Sequence, residues 1–420
     1  MLIGIDASRA NRIHKSGTEW YAFYLIRELA RIDAANQYIL YTDRPLVSGL
    51  ADLGSEEAEP MTGPASFDEQ GLQILKSPHG NFKAKVLNWP FKFFWTLGGL
   101  SLEMLFKKPD VLFVPAHTLP LFYPAKSVVT IHDIGFKRQE KLYDHDRVGY
   151  KNSFVDNLVR LVTLGKYSAT KTDYLDWSTK FALKAARKII TISNFSKQEL
   201  EEVYGAESDK ITVIHNGYNS TLYKQLPTEQ TLPTLAVNGI TQPFIFYVGR
   251  LEKKKNISTL IEAFALLRQN HPEIKHKLVL VGNASYGFDE VKYNISEYNL
   301  ERSVLMPGWI EEKSMPDIYN AASAFVFPSN YEGFGIPLLQ AMACGTPIVA
   351  SDIAPVREVV GEAAVLFNPN KAQEMAEKIY ELLSDEQLKQ TLLEKGLLRV
   401  RDFDWRKCAK ETLAVLLAHQ

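Results

Sequence analysis

A glycine-rich turn that carries a glutamate lies between two apolar stretches in the second half of the chain. The segment Phe325–Pro369 reads as a buried strand, a turn with Glu332, a helix, a Gly-Thr-Pro turn and a second buried strand. A helix that follows such a turn presents backbone N–H groups and a partial positive charge, which suits a phosphate. The Glu332 carboxylate would accept hydrogen bonds from ligand hydroxyls. A phosphorylated and polyhydroxylated ligand, such as a sugar nucleotide, fits both features.

A group of cations follows an apolar stretch near the middle of the chain. The strand predicted at Phe244–Val248 is followed by a glycine, Arg250 and three consecutive lysines. Ligands of open α/β sheets bind beyond the carboxyl ends of the strands. We expect Arg250 to bind a diphosphate with two parallel hydrogen bonds and Lys255 to add a point charge. Lys253 and Lys254 read as solvated surface.

The first half of the chain offers a histidine at a similar position. His132 comes directly after the strand predicted at Val128–Ile131. A lone histidine there is more often structural than catalytic, but a strand-end position like that of the cations favours a functional role. Gly17, after the first predicted strand, either lets the backbone approach a ligand closely or is an ordinary loop glycine.

These residues must be positioned by two domains. A chain of 420 residues exceeds what one hydrophobic core usually serves. Apolar strands alternate with helical stretches in both halves, which predicts two parallel α/β sheets. We place the first domain at 1–225 and the second at 240–400. A segment at 218–242, rich in Thr, Pro, Leu and Asn, reads as a linker, and a last helix at 401–420 is expected to pack back towards the first domain.

The composition excludes several classes of protein. A net charge of −1 argues against nucleic acid as a partner. The two cysteines, Cys344 and Cys408, form neither a disulfide framework nor a metal-ligand spacing, which indicates reduced thiols and a cytoplasmic location. The sequence MLIGIDASR does not read as a signal peptide, and no apolar run approaches the roughly 20 residues that cross a bilayer.

In their order and spacing, these motifs resemble the retaining GT-B-fold glycosyltransferases of family 4, or glycosyl transferases group 1, which use nucleotide-diphosphate sugars. The resemblance covers most of the chain and is strongest at Phe244–Pro369. It implies two Rossmann-like parallel-sheet domains facing across a cleft, the first binding the acceptor and the second the nucleotide sugar. The motifs that carry it are Gly17, His132-Asp133, Ser193–Ser196, Ile214–Gly217, Gly249-Arg250 with Lys255, Pro307–Trp309 and Pro328–Pro337.

The resemblance also implies roles for single residues. Arg250 and Lys255 resemble the diphosphate-binding pair, and Glu332 resembles the first glutamate of the Glu-x7-Glu motif, which contacts hydroxyls of the donor sugar. His132 resembles the histidine that contacts the transferred sugar, which completes an implied catalytic set of four. The implied donor-binding residues are Gly17, the nucleobase-pocket residues Gly308, Trp309 and Ile310, the turn residues Gly333, Phe334, Gly335, Ile336, Pro337 and Leu338, and finally Gln340.

Gln340 departs from the motif. In the family, the second motif position is a glutamate whose carboxylate accepts hydrogen bonds from the ribose hydroxyls. Glutamine keeps one acceptor oxygen but loses the charge. We therefore expect weaker donor binding without loss of activity. An alternative is a catalytically weakened protein that only binds nucleotide sugars.

For the reaction, the resemblance implies retention at the anomeric carbon. No protein nucleophile occupies a matching position, which favours front-face displacement with the diphosphate helping to deprotonate the acceptor. Arg250, Lys255 and the helix start would stabilise the leaving group. No Asp-x-Asp motif lies at a suitable strand end, so we expect neither a metal nor another cofactor. The His-Asp-Ile-Gly setting favours a hexose such as mannose, with GDP ahead of UDP as the carrier.

The sequence of the first domain, which the resemblance implies binds the acceptor, matches the family less closely. The stretch 82–108 mixes aromatic residues with lysines and reads either as a core helix with solvated lysines or as a peripheral face for an anionic membrane. The second interpretation predicts a lipid-linked acceptor, as in polysaccharide or lipopolysaccharide assembly, and the first leaves a saccharide acceptor. The stretch 145–174 reads as an acceptor-side insertion. A dinucleotide-dependent oxidoreductase is disfavoured because no Gly-x-Gly-x-x-Gly turn follows the first strand. The aromatic residues and lysines of 82–108 are Trp89, Phe91, Phe93, Phe94, Trp95, Lys83, Lys85, Lys92, Lys107 and Lys108.

Overall fold

A computed structural model of the protein describes residues 1–55, 65–90, 95–143, 165 and 170–418. These residues form two compact units, each built on its own sheet. Unit 1 contains the described residues of 1–138, 144–216 and 405–420, and unit 2 contains 139–143 and 217–404. The chain therefore leaves unit 1 after Asn216 and returns to it at Trp405.

Among the described residues, the sheet of unit 1 has eight strands in the order β3-β4-β2-β1-β5-β6-β7-β8. Every neighbouring pair is parallel except β3 and β4, which makes an antiparallel edge. The strands are β1 Leu2–Asp6, β2 Gln37–Thr42, β3 Gln73–Ile74, β4 Phe82–Val86, β5 Val111–Val114, β6 Ser127–Ile131, β7 Lys188–Thr191 and β8 Ile211–Val213. The α-helices of this unit are α1 Gly17–Ile32, α2 Ser101–Phe106, α3 Gly135–Arg138, α4 Lys171–Ala185, α5 Asn194–Tyr204 and α14 Trp405–Leu417.

The central strands of unit 1 are apolar because helices cover both faces of a parallel sheet. Every residue of β5 and β6 is buried. Helix α1 begins with a capping box, in which Ser16 and Glu19 bond each other's backbone and side-chain groups. Helix α14 packs against α1, and its first residue, Trp405, stacks on Tyr24 with ring centroids 5.5 Å apart.

The described strands of unit 2 form a parallel sheet in the order β11-β10-β9-β12-β13-β14. They are β9 Phe244–Val248, β10 Lys277–Val281, β11 Val304–Gly308, β12 Ala324–Phe327, β13 Ile348–Ser351 and β14 Val365–Phe367. The helices are α6 Thr228–Val237, α7 Ile257–Asn270, α8 Phe288–Glu297, α9 Met315–Ala321, α10 Ile336–Cys344, α11 Ala354–Val360, α12 Ala372–Ser384 and α13 Glu386–Arg399. Helices α7 and α12 pack together over a core of leucine, isoleucine and phenylalanine side chains.

The predicted fold class of two parallel-sheet α/β domains is confirmed. The linker interpretation of 218–242 is wrong, because the whole segment belongs to unit 2 and its residues 228–237 form α6. Pro233 lies inside this helix, although proline is one of the residue types that predict a linker here. The helical interpretation of 82–108 is also wrong at its start, where Phe82–Val86 pairs with β2 as strand β4. Residues 91–94, most of 145–169 and the last two residues lie outside the described part of the chain.

Of the described helices, none combines the length and the apolar character that a bilayer crossing needs.

Candidate active site

Three adjacent strands of unit 2 run into glycines at the carboxyl edge of the sheet. Gly249, Gly282 and Gly308 have φ angles of 152°, 140° and 83°, a region that favours glycine. Their backbones are linked in a row, since the Gly249 N–H donates to Val281 O at 3.0 Å and the Gly282 N–H to Gly308 O at 2.8 Å. A Cβ on Gly282 would lie 1.9 Å from Gly249 O. The edge is thus built of closely packed main chain.

Gly282 was not among the residues predicted from the sequence. The signal was present, because Gly282 follows an apolar strand just as Gly249 does. The sequence alone does not show that the two glycines face each other across neighbouring strands.

The turn after Gly249 holds the predicted cations. Residues 253–255 form one helical turn, and the backbone of this loop pairs with that of the loop after β10 through the N–H of Leu251, which donates to Asn283 O at 2.9 Å. The Arg250 side chain is 59% exposed, with Nη1 3.9 Å from a carboxylate oxygen of Glu252. The turn therefore presents a guanidinium at the carboxyl edge, where a diphosphate would bind.

The three lysines of the turn have different surroundings. Lys253 is exposed, as predicted. Lys254 is not simply solvated, because its Nζ lies 3.7 Å from a Glu252 oxygen and 5.1 Å from the centre of the Tyr143 ring. Lys255 points to the next loop, where its ammonium bonds to Glu332. The three consecutive lysines thus have three different environments.

Lys255 and Glu332 form the central ion pair of unit 2. The two side chains are only 18% and 12% exposed. The same carboxylate oxygen, Oε1, accepts the Lys255 bond and a second bond of 2.6 Å from the buried Ser329 hydroxyl. Among the described residues, Oε2 accepts no hydrogen bond, so it can accept one from a ligand hydroxyl. The pair thus holds the carboxylate in place and leaves one oxygen for binding.

A buried tyrosine lies at the start of the cationic turn. The Tyr247 hydroxyl donates to Arg250 O at 3.1 Å. Burial raises the pKa of Tyr247 well above its usual value, and the negative charges of Glu332 and Glu252 raise it further. Tyr247 therefore stays a neutral hydrogen-bond donor that fixes the start of the cationic turn.

The predicted glycine turn leads from Glu332 into helix α10. Gly335 has φ 117°, and a Cβ there would come within 2.9 Å of Leu338 Cδ1. Pro337 lies in the first turn of the helix, where a missing N–H costs nothing. Phe334 and Leu338 are almost fully buried, so only their backbones could face a ligand. The remaining predicted residues of this turn are Gly333 and Ile336, of which the first is buried and the second partly buried.

Gln340 lies on the second turn of α10 and contacts a buried tyrosine. The Tyr319 hydroxyl lies 3.1 Å from Gln340 Oε1 and donates to it. The amide nitrogen of Gln340 has no hydrogen-bond partner among the described residues. With its oxygen engaged, Gln340 presents a donor to a ligand, whereas a carboxylate at this position would present an acceptor. Tyr319 was not predicted as a site residue.

The loop after β11 contains the residues predicted for the nucleobase. Gly308 ends the strand with open space around a would-be Cβ. Trp309 is 46% exposed, and Ile310 is nearly buried beside it. An exposed indole offers a flat apolar surface, which suits a stacked base.

In unit 1, His132 lies at the end of β6 and is only 5% exposed. Its Nε2 is 3.1 Å from Pro115 O. A carbonyl only accepts, so Nε2 carries the proton and Nδ1 keeps its lone pair. Burial, followed by the nearby His117, lowers the pKa of His132 to about 4. His132 is therefore a neutral acceptor over the whole physiological pH range.

The neighbours of His132 hold its ring and backbone. The ring meets Tyr21 edge-on with centroids 4.8 Å apart, and the ring of His117 lies 6.0 Å away. The Ser196 hydroxyl donates to His132 O at 3.0 Å, and Ser193 caps α5 by accepting from the Ser196 N–H. The Ser-Asn-Phe-Ser element thus positions the histidine. His117 was missed, since a histidine in an irregular Pro-Ala-His segment carries no positional signal.

Gly17 is the first residue of α1, one position after the cap residue Ser16. No described atom lies within 4 Å of a would-be Cβ. The open space is compatible with a close approach of a ligand to this backbone, and equally with an ordinary helix start.

No set of three His, Cys, Asp or Glu side chains in the described ranges is grouped so that it could hold a metal ion.

Two family models match the chain in succession. Residues 15–222 match the model described as Glycosyltransferase Family 4, and residues 236–398 match Glycosyl transferases group 1. The chain is thus a glycosyltransferase that carries both of these domains, and its two parallel-sheet units have the GT-B fold.

The chain is also similar to individual proteins. It is 28% identical to the O-antigen chain mannosyltransferase B of Escherichia coli over 289 residues, which are 69% of each protein. It is 27% identical to the glycogen synthase of Mycobacterium tuberculosis over 382 residues, which are 86% of this chain and 84% of that enzyme. Anabaena Alr3699/HepE, solved in complex with UDP and glucose, has a TM-score of 0.65 and 18% identity, with 99% of each chain covered. The last likeness shows the fold.

Proposed function

We propose that the protein is a retaining hexosyltransferase of polysaccharide or lipopolysaccharide assembly. It would move a hexose from a nucleotide-diphosphate sugar to a saccharide or lipid-linked acceptor. The observation that carries this proposal is the half-buried Lys255–Glu332 pair, which leaves one carboxylate oxygen for a hydroxyl beside a glycine-lined sheet edge.

The donor roles follow from the chemistry of each side chain. Arg250 is exposed enough to bind the diphosphate, and Lys255 adds a second positive charge. The free Oε2 atom of Glu332 accepts from a hydroxyl of the donor sugar. Trp309 and Ile310 form the surface for the base, and Gln340 donates to a ribose oxygen.

The proposed reaction needs no protein nucleophile. The bond from the anomeric carbon to the diphosphate oxygen breaks, and the bond to the acceptor oxygen forms on the same face. The acceptor hydroxyl gives its proton to the departing diphosphate. Arg250, Lys255 and the start of α10 stabilise the charge that develops on the leaving group. We propose that these groups suffice without a metal or another cofactor.

His132 takes a neutral role in this scheme. Because its Nε2–H is bound to Pro115 O, the Nδ1 atom is the one left to accept from a sugar hydroxyl. Its low pKa excludes a positive charge there at neutral pH. It orients the transferred sugar rather than supplying a proton.

For the donor, we favour a mannosyl group carried on GDP. The mannosyltransferase of E. coli supports mannose. The glycogen synthase supports glucose as the competing hexose, and the UDP complex of the Anabaena protein supports UDP as the competing carrier.

For the acceptor side, we propose a peripheral contact of unit 1 with the cytoplasmic face of an anionic membrane. Helix α2 and the loop tied to it by the Leu121 N–H, which donates to the Ser101 hydroxyl at 2.8 Å, expose several large apolar side chains. Trp95 is not one of them, because it is buried. Lys83 and Lys85 are paired with Asp68 and Glu103, so the exposed charge comes from the end of α2. The surface residues are Leu102, Leu105, Phe106, Leu121, Phe122, Lys107 and Lys108.

The membrane proposal is tested by sedimentation with vesicles of phosphatidylglycerol and phosphatidylcholine. Phe106→Asp should release the protein from the vesicles, and Tyr293→Asp, an exposed aromatic of unit 2, should not. Equal binding of both variants to the vesicles would contradict the proposed face.

The donor proposal is tested by a thermal-shift screen against GDP- and UDP-linked mannose and glucose. A ligand that binds only the native state raises the melting temperature. Release of free nucleoside diphosphate separates a transferase from a protein that only binds the sugar nucleotide, and NMR of the product's anomeric configuration tests retention. No shift with any of the four donors would contradict the proposal.

A further inference from the structure

Unit 2 has a cavity whose lining does not include the Lys255–Glu332 pair. It opens at the carboxyl ends of β12, β13 and β14 and is closed on one side by the segment 139–142. Its volume is about 390 Å³, within the range of small-molecule sites. Its lining residues include Gln139, Leu142, Asn330, Asp352, Pro369 and Asn370.

The lining is polar but carries no positive charge. The side-chain amides of Gln139, Asn330 and Asn370 make no hydrogen bond to any described residue, so each can donate to and accept from a ligand. The one carboxylate, Asp352, is bound to the Arg357 guanidinium, whose Nη2 lies 2.7 Å from Oδ2. This pair holds the pKa of Asp352 below its usual value. Such a lining disfavours a phosphate and suits neutral hydroxyls.

The cavity also has apolar walls. Leu142 and Pro369 are among its lining residues. A saccharide ring has hydroxyls around its rim and C–H groups on its faces, and amides beside apolar side chains complement both. The chemistry of the cavity is therefore that of a site for an uncharged sugar.

Its place in the sheet sets it apart from the donor residues. In the strand order β11-β10-β9-β12-β13-β14, the predicted base and diphosphate residues follow β11 and β9, whereas this cavity lies over β12, β13 and β14. Asn330 belongs to the loop that carries Glu332, and its N–H donates to Lys254 O at 3.0 Å. The cavity therefore adjoins the donor-sugar position from the side opposite the nucleotide.

We propose that this cavity binds a neutral sugar ring of the acceptor saccharide. The inference rests on the proposed function and adds an acceptor subsite to unit 2. The sugar ring lies over β12, β13 and β14 with its hydroxyls on Gln139, Asn330 and Asn370, and its neighbour along the chain reaches towards Glu332.

The test compares two double variants of the full chain. Gln139→Ala with Asn370→Ala removes two lining amides that make no described hydrogen bond. Gln269→Ala with Asn270→Ala removes the same two residue types from the exposed end of α7 and serves as the matched control. The probes are α-1,3-mannobiose and maltose, titrated by saturation-transfer NMR in the presence of saturating GDP or UDP.

We expect the lining variant to weaken binding of at least one disaccharide about 10-fold or more, as for the loss of one to two hydrogen bonds. Nucleotide affinity should stay unchanged, and the control should behave like the unmodified protein. Unchanged disaccharide binding in the lining variant would overturn the inference. So would a parallel loss of nucleotide affinity, or the failure of both disaccharides to bind the unmodified protein. Failure of the proposed function would give a different result, because the unmodified protein would then release no nucleoside diphosphate from any donor.

Discussion

The two units hold their candidate site residues in different settings. Unit 2 brings charge to a sheet edge of glycine backbone, where Lys255 and Glu332 form a half-buried pair. Unit 1 brings a neutral imidazole, His132, into a buried setting next to Tyr21 and His117. Burial disfavours the charged form of a lone ionisable group, and a partner of opposite charge with further hydrogen bonds offsets part of this cost. Unit 2 therefore keeps charged side chains that balance each other. Unit 1 keeps a neutral histidine whose donor and acceptor nitrogens are fixed by its hydrogen bond.

The difference suggests a division of labour. The proposed diphosphate leaving group gains negative charge during the reaction. The cations that would stabilise this charge belong to unit 2. A sugar that is transferred stays uncharged apart from its reacting carbon, and a neutral acceptor such as His132 is suited to hold it. The following predictions test this contrast, beginning with the largest effect.

Removing either member of the ion pair should abolish most of the transfer. Lys255→Ala removes the cation at the leaving group, and Glu332→Ala removes the acceptor for the sugar hydroxyl. We expect each to lower kcat/KM about 100- to 1000-fold, as for the loss of one preorganised electrostatic contact. Steady-state release of nucleoside diphosphate measures this. Lys253→Ala, in the same turn but exposed, is the control, and near-normal turnover of either site variant would refute the assigned roles.

Replacing glycine by alanine at the sheet edge should cost much more stability at Gly282 than at Gly308. Gly282→Ala places a Cβ 1.9 Å from Gly249 O at φ 140°, and we expect it to lower the free energy of unfolding by about 3 kcal/mol or more. Gly308→Ala has open space and a φ of 83°, so only the backbone conformation resists it, at about 1 kcal/mol. Urea denaturation of both variants measures the difference. Equal losses would show that the row is not tightly packed.

The buried histidine should make stability depend on pH. With its pKa lowered to about 4 from 6.5, His132 stays neutral in the native state while the unfolded chain takes up a proton below about pH 6.5. The contribution of His132 to the free energy of unfolding is therefore full above about pH 6.5. It declines as the pH falls, by about 2 kcal/mol from pH 7.5 to 5. Urea denaturation of His132→Gln across this range should show a correspondingly smaller decline.

The control for this measurement is His79→Gln, which replaces an exposed histidine of the same unit. It should keep the full pH dependence of the unmodified protein. A decline that is the same in all three proteins would mean that His132 does not titrate as its burial implies.

The smallest effect should come from restoring the acid of the motif. Gln340→Glu lets the Tyr319 hydroxyl donate to a carboxylate and adds a charged acceptor for the ribose. We expect a gain in donor affinity of about 3- to 10-fold, near 1 kcal/mol. Calorimetric titration with GDP and UDP measures this. Weaker binding would instead indicate that the amide nitrogen of Gln340 is the group that the donor uses.

The fold was largely predictable because its strands are continuous apolar runs that end in glycine or polar residues. Phe244–Val248 was predicted with the bounds that the structure gives it, and the prediction of Val128–Ile131 misses only the first residue of β6. The segment at 228–237 was misjudged because its threonines and its proline are unfavourable in helices. It forms a helix that packs against α9. Strand β4 was misjudged since alternating lysines and apolar residues, FKAKV, also suit an amphipathic surface.

The candidate site was predictable where its residues are chemically distinctive. Arg250 and Glu332 are charged residues next to glycines, and Lys255 is the last of three lysines in the turn after Arg250. The ion pair shows that Lys255 and Glu332 meet in space. Tyr319, Tyr247 and Gly282 were not predicted, because each acts through a contact made across strands or helices. Pairing across a sheet depends on the whole topology, and a local stretch of sequence does not contain it.

The return of the chain to unit 1 at Trp405 has a consequence for the order of synthesis. Helix α1 leaves the ribosome early, yet the α14 helix that covers it emerges only after all of unit 2 has been made. Until then Tyr21 and Tyr24 lack the indole that they contact in the finished protein. The first unit to be translated is therefore the last to be completed, and a nascent chain stalled before residue 405 should expose an aromatic surface to chaperones.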